Sequence, residues 1–436
     1  MKRFKTGMIL LMSVVLSACQ SNTTTPTAKP NEQKEETPKE ALQMKYLYRG
    51  DGNEKGLYHI ALRDVDHITY ANIYYYDYAS KKEIFLCDQP QCKHIDDSCT
   101  SFVKDSMNDY VFLHDQHIYQ IHMSTGGMVI GNDLTVESSS QTGSIIQMDL
   151  DGKNKKTLCT LPEGYSFDDN RVITDERYVY LPLAKEDIIS KNENTHMNYT
   201  VDSKLYRIDL TNGEQETIMD FHDMKIQGVN KRDILLSKNI YQKDINKLLQ
   251  EKKFDEYETV ARNAKLNFTS YHIDEQKMDE YIPVNTKSSC LSYQDNLYYD
   301  LDNAIHEVSL KDAKDQIIAQ MPNDYQYILS EIWDGKAIIQ AWNDAQEYIT
   351  SYTLSLNDKK LTPLTLMKHQ PNEPMDILGE TKDAFFVYYD HDQHAEKTWA
   401  GTDQYTLDKA YYGSISKDDF WANKDQFETF DTISTQ

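Results

Sequence analysis

The sequence predicts an all-β protein: a single β-propeller of four-stranded antiparallel blades, seven by count with six as the alternative, carrying a small helical insertion. Three observations lead there. Tyrosine is abundant, 31 of 436 residues, against 16 glycines and 11 prolines, and aromatic residues suit a pleated, packed surface. Apolar residues come in short alternating runs bounded by Asp, Asn, Gly and Lys, the period-two pattern of strands. One hairpin pattern, two strands joined by a polar turn, recurs along the chain.

The N-terminus precedes this pattern. Lys2, Arg3 and Lys5 form a short positive region, and Met8 to Leu16 is an apolar run too short to span a bilayer. Leu16-Ser17-Ala18-Cys19 has the form of a lipobox, with small residues ahead of a thiol that can receive a diacylglyceryl group. Residues 1–18 therefore read as a lipoprotein signal peptide and Cys19 as the lipidated N-terminus. Residues 19–42 are Ser, Thr, Asn, Pro, Lys and Glu without apolar periodicity, the composition of a disordered tether. The propeller is assigned to residues 43–436.

Seven hairpins follow: 72–78 into 83–87, 144–150 into 156–159, 204–210 into 216–219, 268–274 into 280–284, 304–310 into 316–319, 349–356 into 361–366, and 409–416 into 427–430. Another pair of short strands precedes each; 171–174 with 178–183 and 327–332 with 336–342 are examples. Four antiparallel strands per unit, repeated, is the grammar of a propeller blade, and such units bury their faces only by stacking into a ring. Residues 244–265 break the alternation. Ile245, Leu248, Leu249, Phe254, Tyr257, Val260, Ala261 and Ala264 fall near helical spacing, which predicts a helix or a broken pair inside the fourth unit.

The sharpest local constellation is Cys87-Asp-Gln-Pro-Gln-Cys92-Lys-His94-Ile-Asp-Asp-Ser-Cys99. Three thiols and an imidazole in thirteen residues can close a tetrahedral Cys₃His site for a structural zinc ion, with Pro90 turning the chain back. Outside the cytoplasm the same spacing also suits a disulfide among Cys87, Cys92 and Cys99. Both readings stand at this point. Once Cys19 is lipidated five cysteines remain, so complete internal pairing is impossible; Cys159 and Cys290 sit in strands as small buried hydrophobes.

The run Tyr74-Tyr-Tyr-Asp-Tyr, Phe85-Leu-Cys87, Pro90, Cys92, His94 and Cys99 resembles a signature of Gram-positive lipoproteins with a TolB-like propeller domain. The hairpin from Lys204 to Gly213 is similar to the outer-hairpin pattern of the same group. The resemblance implies a propeller, often of six blades, and no enzymatic activity.

The formal charge is −24, and loss of three cations with the signal makes it −27. That balance argues against nucleic acid and anionic lipid headgroups as partners. No nucleophile elbow, zinc-binding His-Glu-x-x-His helix or phosphate loop is present, and no catalytic residue is assigned. Asp149-Leu-Asp151-Gly152 is a hairpin turn. The expected protein is a monomeric lipoprotein on the extracytoplasmic face of the cell membrane. It would be a non-catalytic binding or scaffold module for a protein, peptide or cell-wall glycan. The alternative is a secreted enzyme acting on glycans or peptides with carboxylates at the ring's mouth.

Overall fold

The structure, a computed structural model, describes residues 40–433 apart from 67, 105–108, 123–126, 131–135, 140–141, 168–170, 193–194, 285–289, 323–324, 344, 346, 369–372 and 398–402. The signal peptide, Cys19 and nearly all of the predicted tether lie outside the described residues.

Seven antiparallel sheets of four or more strands follow one another in chain order, with two small hairpins besides, so the count of seven holds over the six that the resemblance implies. Blade 1 comprises Asp51–Asn53, Gly56–Val65, Ile68–Asp77 and Lys82–Phe85; blade 2 comprises Tyr110–His114, His117–His122, Ser144–Asp149 and Lys156–Thr160. Blades 3 to 7 begin at Arg171, Met224, Cys290, Gln326 and Asp376 and repeat the same meander.

Each blade must bury both faces, which is why the strands are apolar beyond simple alternation. In Ile68–Asp77, Ile73 packs toward Ile118 and Met148 of blade 2, while Tyr76 packs on Phe386 and Tyr412 of blade 7. Blade 5 does the same, with Leu297 and Tyr299 toward blade 4 and Tyr298 toward blade 6. Every consecutive pair of blades, the last and first included, shares one such apolar cluster. The ring closes where Asp431 exchanges backbone hydrogen bonds with Lys81 and Glu83 (2.9 and 2.8 Å).

Antiparallel order puts every second-to-third-strand connection, and every link from one blade to the next, on the same face of the ring. Apart from the short helix Lys417–Trp421, which joins the last two strands of blade 7 on the other face, the long elaborations all fall there. They are the hairpin Gly127–Ile130 with Val136–Ser139 in blade 2, the extended arms Tyr178–Asn192 with Thr195–Asp209 in blade 3, and Ala384–Lys397 with Asp403–Ser416 in blade 7. The helical insertion of blade 4 joins them as a broken pair, Ile245–Gln250 and Phe254–Arg262. Asp244 caps the first helix by accepting from the Lys247 amide. The insertion packs on the neighbouring arm of blade 3 through Asn246, which donates to the Thr200 carbonyl at 3.4 Å.

The chain enters at the opposite face. Leu42 donates to the Lys231 carbonyl (2.6 Å), and Gln43–Tyr46 pairs with the inner strand of blade 3. The 3₁₀ turn Leu47–Arg49 then crosses the channel, because Arg49 forms a two-pronged ion pair with Glu331 on the inner strand of blade 6. Gly50, at φ 77°, turns the chain into blade 1; a Cβ there would strike the Tyr58 carbonyl.

Candidate metal centre

The four predicted ligands converge. They lie in the connection from blade 1 to blade 2, on the elaborated face, and one donor atom from each of Cys87, Cys92, His94 and Cys99 lies within 4.8 Å of all the others. Tight turns bring this about. Cys92 donates to the Gln89 carbonyl (3.3 Å) across Pro90-Gln91, with Gln91 at φ 64°, the pattern of a type II turn with proline leading. His94 is also left-handed, at φ 57°. Cys99 closes a turn on the Asp96 carbonyl (3.0 Å), where the Asp96 carboxylate accepts from the Ser98 amide at 3.0 Å.

The imidazole is aimed by its surroundings. His94 stacks on Phe85 with ring centres 3.9 Å apart, and its Nδ1 lies 3.1 Å from the Cys99 sulfur. Buried Asn72 donates to the His94 carbonyl (3.0 Å) and to Ser101 Oγ (3.2 Å), tying the loop to the third strand of blade 1. Burial, and then the nearby Arg63 guanidinium, lower the His94 pKa and favour the neutral ring that a metal requires. Burial works against ionising Cys87. Hydrogen bonds from the Gln89 amide and from Cys99, Thr100 and Cys92 outweigh it, so that thiol sits below the ordinary cysteine value. Burial pushes Cys99 up to about 11.

Zinc sites have Zn–S near 2.3 Å and Zn–N near 2.0–2.1 Å, which places tetrahedral donors about 3.5–3.8 Å apart. The donors, all within 4.8 Å of one another, reach these distances if the widest pairs close by up to about 1 Å; His94 Nδ1 and Cys99, at 3.1 Å, would instead open by about 0.4 Å. The three thiols are free, with no bond between any two of them. Cys159 and Cys290 are buried in strands, as their sequence context predicts.

The loop also grips blade 2. Lys155 donates to the Phe102 carbonyl (2.9 Å), Lys153 pairs with Asp88 (2.7 Å), and the Gly152 turn rests against Leu86. Asp149-Leu-Asp151-Gly152 is indeed a turn, closed by Gly152 donating to the Asp149 carbonyl (2.9 Å). Two polar clusters escape sequence reading because their members come from separate segments of the fold. One is Arg49–Glu331. The other is buried Asp109, which accepts from Gln120 (2.5 Å) and lies 3.0 Å from His122 Nδ1.

The chain is thus a seven-bladed β-propeller with a Cys₃His cluster between its first two blades. No family model and no curated protein matches it. Among solved structures it is similar to TolB from Acinetobacter baumannii, at 10% identity over 85% of this chain and 80% of that one, with a TM-score of 0.31. It is also similar to the β-propeller domain of the trilobed protease from Pyrococcus furiosus (8% identity, 74% and 94% covered, TM-score 0.39). A third is dipeptidyl peptidase 4 from Porphyromonas gingivalis (9% identity, 85% and 50% covered, TM-score 0.37), of which this chain spans half the length. Likeness of this degree concerns the propeller fold and carries nothing about activity.

Proposed function

We propose that this protein is a lipid-anchored, extracytoplasmic binding propeller, monomeric and non-catalytic, that engages a protein, peptide or cell-wall glycan at one mouth of the ring. The observation that carries the reading is the asymmetry of the two faces. One carries short turns and a single short helix of blade 7, Lys417–Trp421, and receives the N-terminal segment; the other gathers the arms of blades 3 and 7, the hairpin of blade 2, the helical insertion and the Cys₃His loop. Binding surfaces are built from elaborated loops on a rigid scaffold. A photocrosslinker placed at Lys252, between the two helices, should capture a partner on intact cells. One at Lys314, in a short turn of blade 5 on the opposite face, should not. Equal capture at both positions, or none at either, would overturn the reading.

In this proposal the Cys₃His loop holds a structural zinc ion that clamps blade 1 against blade 2. Its support is the convergence of four soft donors in one loop.

A further inference from the structure

Blade 1 has the shortest inner strand of the seven blades. Its inner strand is only Asp51–Asn53, facing a second strand that runs Gly56–Val65. Blade 6, by contrast, pairs its inner strand along the whole of Lys336–Trp342. In blade 3, Ser166–Phe167 extends the inner pairing where Arg171–Thr174 stops.

Two-residue turns fix which backbone groups are left over. Asn53 pairs with Gly56 and Val65 with Ile68 across such turns, and the pairs flanking a two-residue turn exchange hydrogen bonds. Odd residues from 57 to 65 therefore bond outward to the third strand, and even residues face inward. Gly56 and Tyr58 are taken by the short inner strand. Ile60 and Leu62 lie beyond its end, and among the described residues no strand pairs with them there.

A cavity of 320 Å³ occupies that place. It touches Ile60 and Leu62 on one face of the strand, His59 on the other, Tyr110 of blade 2 and Tyr412 of blade 7. A space that meets both faces of a strand and the blades on either side lies at the strand's edge. Its charged lining is largely spoken for: Arg49 is paired with Glu331, and His59 with Glu83 at 2.9 Å. The Asp109 carboxylate also lines it and is likewise engaged, by Gln120 and His122; the wider field is that of a chain of formal charge −24.

We infer that the channel binds an extended basic peptide, about three residues of which add as a strand to the Ile60–Leu62 edge. This rests on the binding-module reading and names the ligand class and subsite within it. Strand addition gives affinity through main-chain hydrogen bonds, which the edge offers in pairs at Ile60 and Leu62. Three extended residues span about 10 Å. The chain's negative charge favours a cationic segment.

The test uses the full chain and the probe Ac-Lys-Val-Lys-Val-Lys-NH₂, with two analogues N-methylated on either the valine or the lysine amides. An edge strand reads one parity only. One analogue should therefore bind at least about tenfold more weakly, from two lost hydrogen bonds, while the other binds like the parent. The Ile60 and Leu62 amides should gain hydrogen-exchange protection on binding. Leu62→Pro, which removes one inward N–H and leaves the outward ladder intact, should weaken binding about fivefold. If that variant misfolds, the analogue comparison on the unaltered chain still decides. Equal binding of both analogues, or protection gained elsewhere, would overturn the inference. So would binding of chitotetraose with no binding of the peptide, which leaves the broader reading standing. Failure of the broader reading shows separately, as no capture at Lys252.

Discussion

Replacing Arg49 with alanine should destabilise the ring by about 3 kcal/mol. The guanidinium is nearly buried and grips Glu331 with both prongs; its Nε donates to the Tyr48 hydroxyl at 2.7 Å, and Trp333 donates to the same carboxylate. Breaking a buried pair from one side costs about 3–5 kcal/mol because the other charge is left without its partner. The lower end applies, since the Glu331 side chain is 18% exposed and keeps the Trp333 indole. For roughly 390 ordered residues, 3 kcal/mol corresponds to a fall of about 4 °C in Tm. The pH dependence carries a sign. Burial raises the Glu331 pKa, and Arg49 opposes that rise. Without Arg49 the pKa rises further, so the carboxyl is tolerated when protonated and penalised as pH climbs through its folded value. The penalty of Arg49→Ala should therefore be smaller at pH 5 than at pH 7.5. Thermal and urea unfolding followed by Trp fluorescence would measure both, with an Arg49→Met/Glu331→Met double variant expected near neutral. A cost below about 1 kcal/mol, or one that does not change with pH, would refute the role given to this pair.

Three further outcomes are expected. Cys19→Ser should release the protein from the membrane fraction or stall its processing; normal retention would sink the lipid anchor. Purified protein should carry one zinc ion per chain, and Cys99→Ser should lower zinc content and expose Cys87 and Cys92 to thiol reagents. No stoichiometric metal together with three freely reactive thiols would refute the centre. Asp209 is opposed by burial but held at about 2 by hydrogen bonds from Arg177 and Thr211. The stability it contributes is full above about pH 4 and is lost as pH falls toward 2. Asp209→Asn should thus cost on the order of 1–2 kcal/mol at pH 7, kept low by the exposure of Arg177, and almost nothing at pH 2.

What was legible in the sequence is what local physics writes locally. The outer hairpins were readable because a period-two run and a polar turn are contiguous, as at Ser144–Asp149 and Lys156–Thr160. The Cys₃His loop was readable because all four donors fall within thirteen residues. The arms of blades 3 and 7 were not, because a strand that runs past the edge of the ring keeps the same spacing as one inside it. Nor was the channel crossing: Arg49 and Glu331 are 282 positions apart, and nothing near either residue announces the other. The short inner strand of blade 1 was equally hidden. Asp51–Asn53 reads as a polar turn, and only the register of Gly56–Val65 shows how much edge it leaves uncovered.

The seam between blades 7 and 1 should be the first part of the ring to open, because it alone joins blades that are not consecutive in the chain. Its strength lies in Tyr76, Phe386, Tyr412 and Phe430, in the Asp431 backbone bonds, and in Glu83, which accepts from the Ile433 amide at 2.6 Å. Phe430 is 8% exposed, with its ring 5.1 Å from that of Phe386 and 6.1 Å from that of Tyr76. Phe430→Ala should cost about 3–4 kcal/mol in lost burial and cavity formation. Where the cost appears separates a seam from an ordinary interface. Hydrogen exchange should accelerate at Lys81, Glu83 and Asp431 while blades 3 to 5 keep their protection, since local opening there requires no other blade to unfold. Phe268→Ala, at the interface of blades 4 and 5 that the chain itself links, removes a similar ring and should lower protection across the ring. If both substitutions gave the same pattern of exchange, closure at Asp431 would not be the weak joint of the ring.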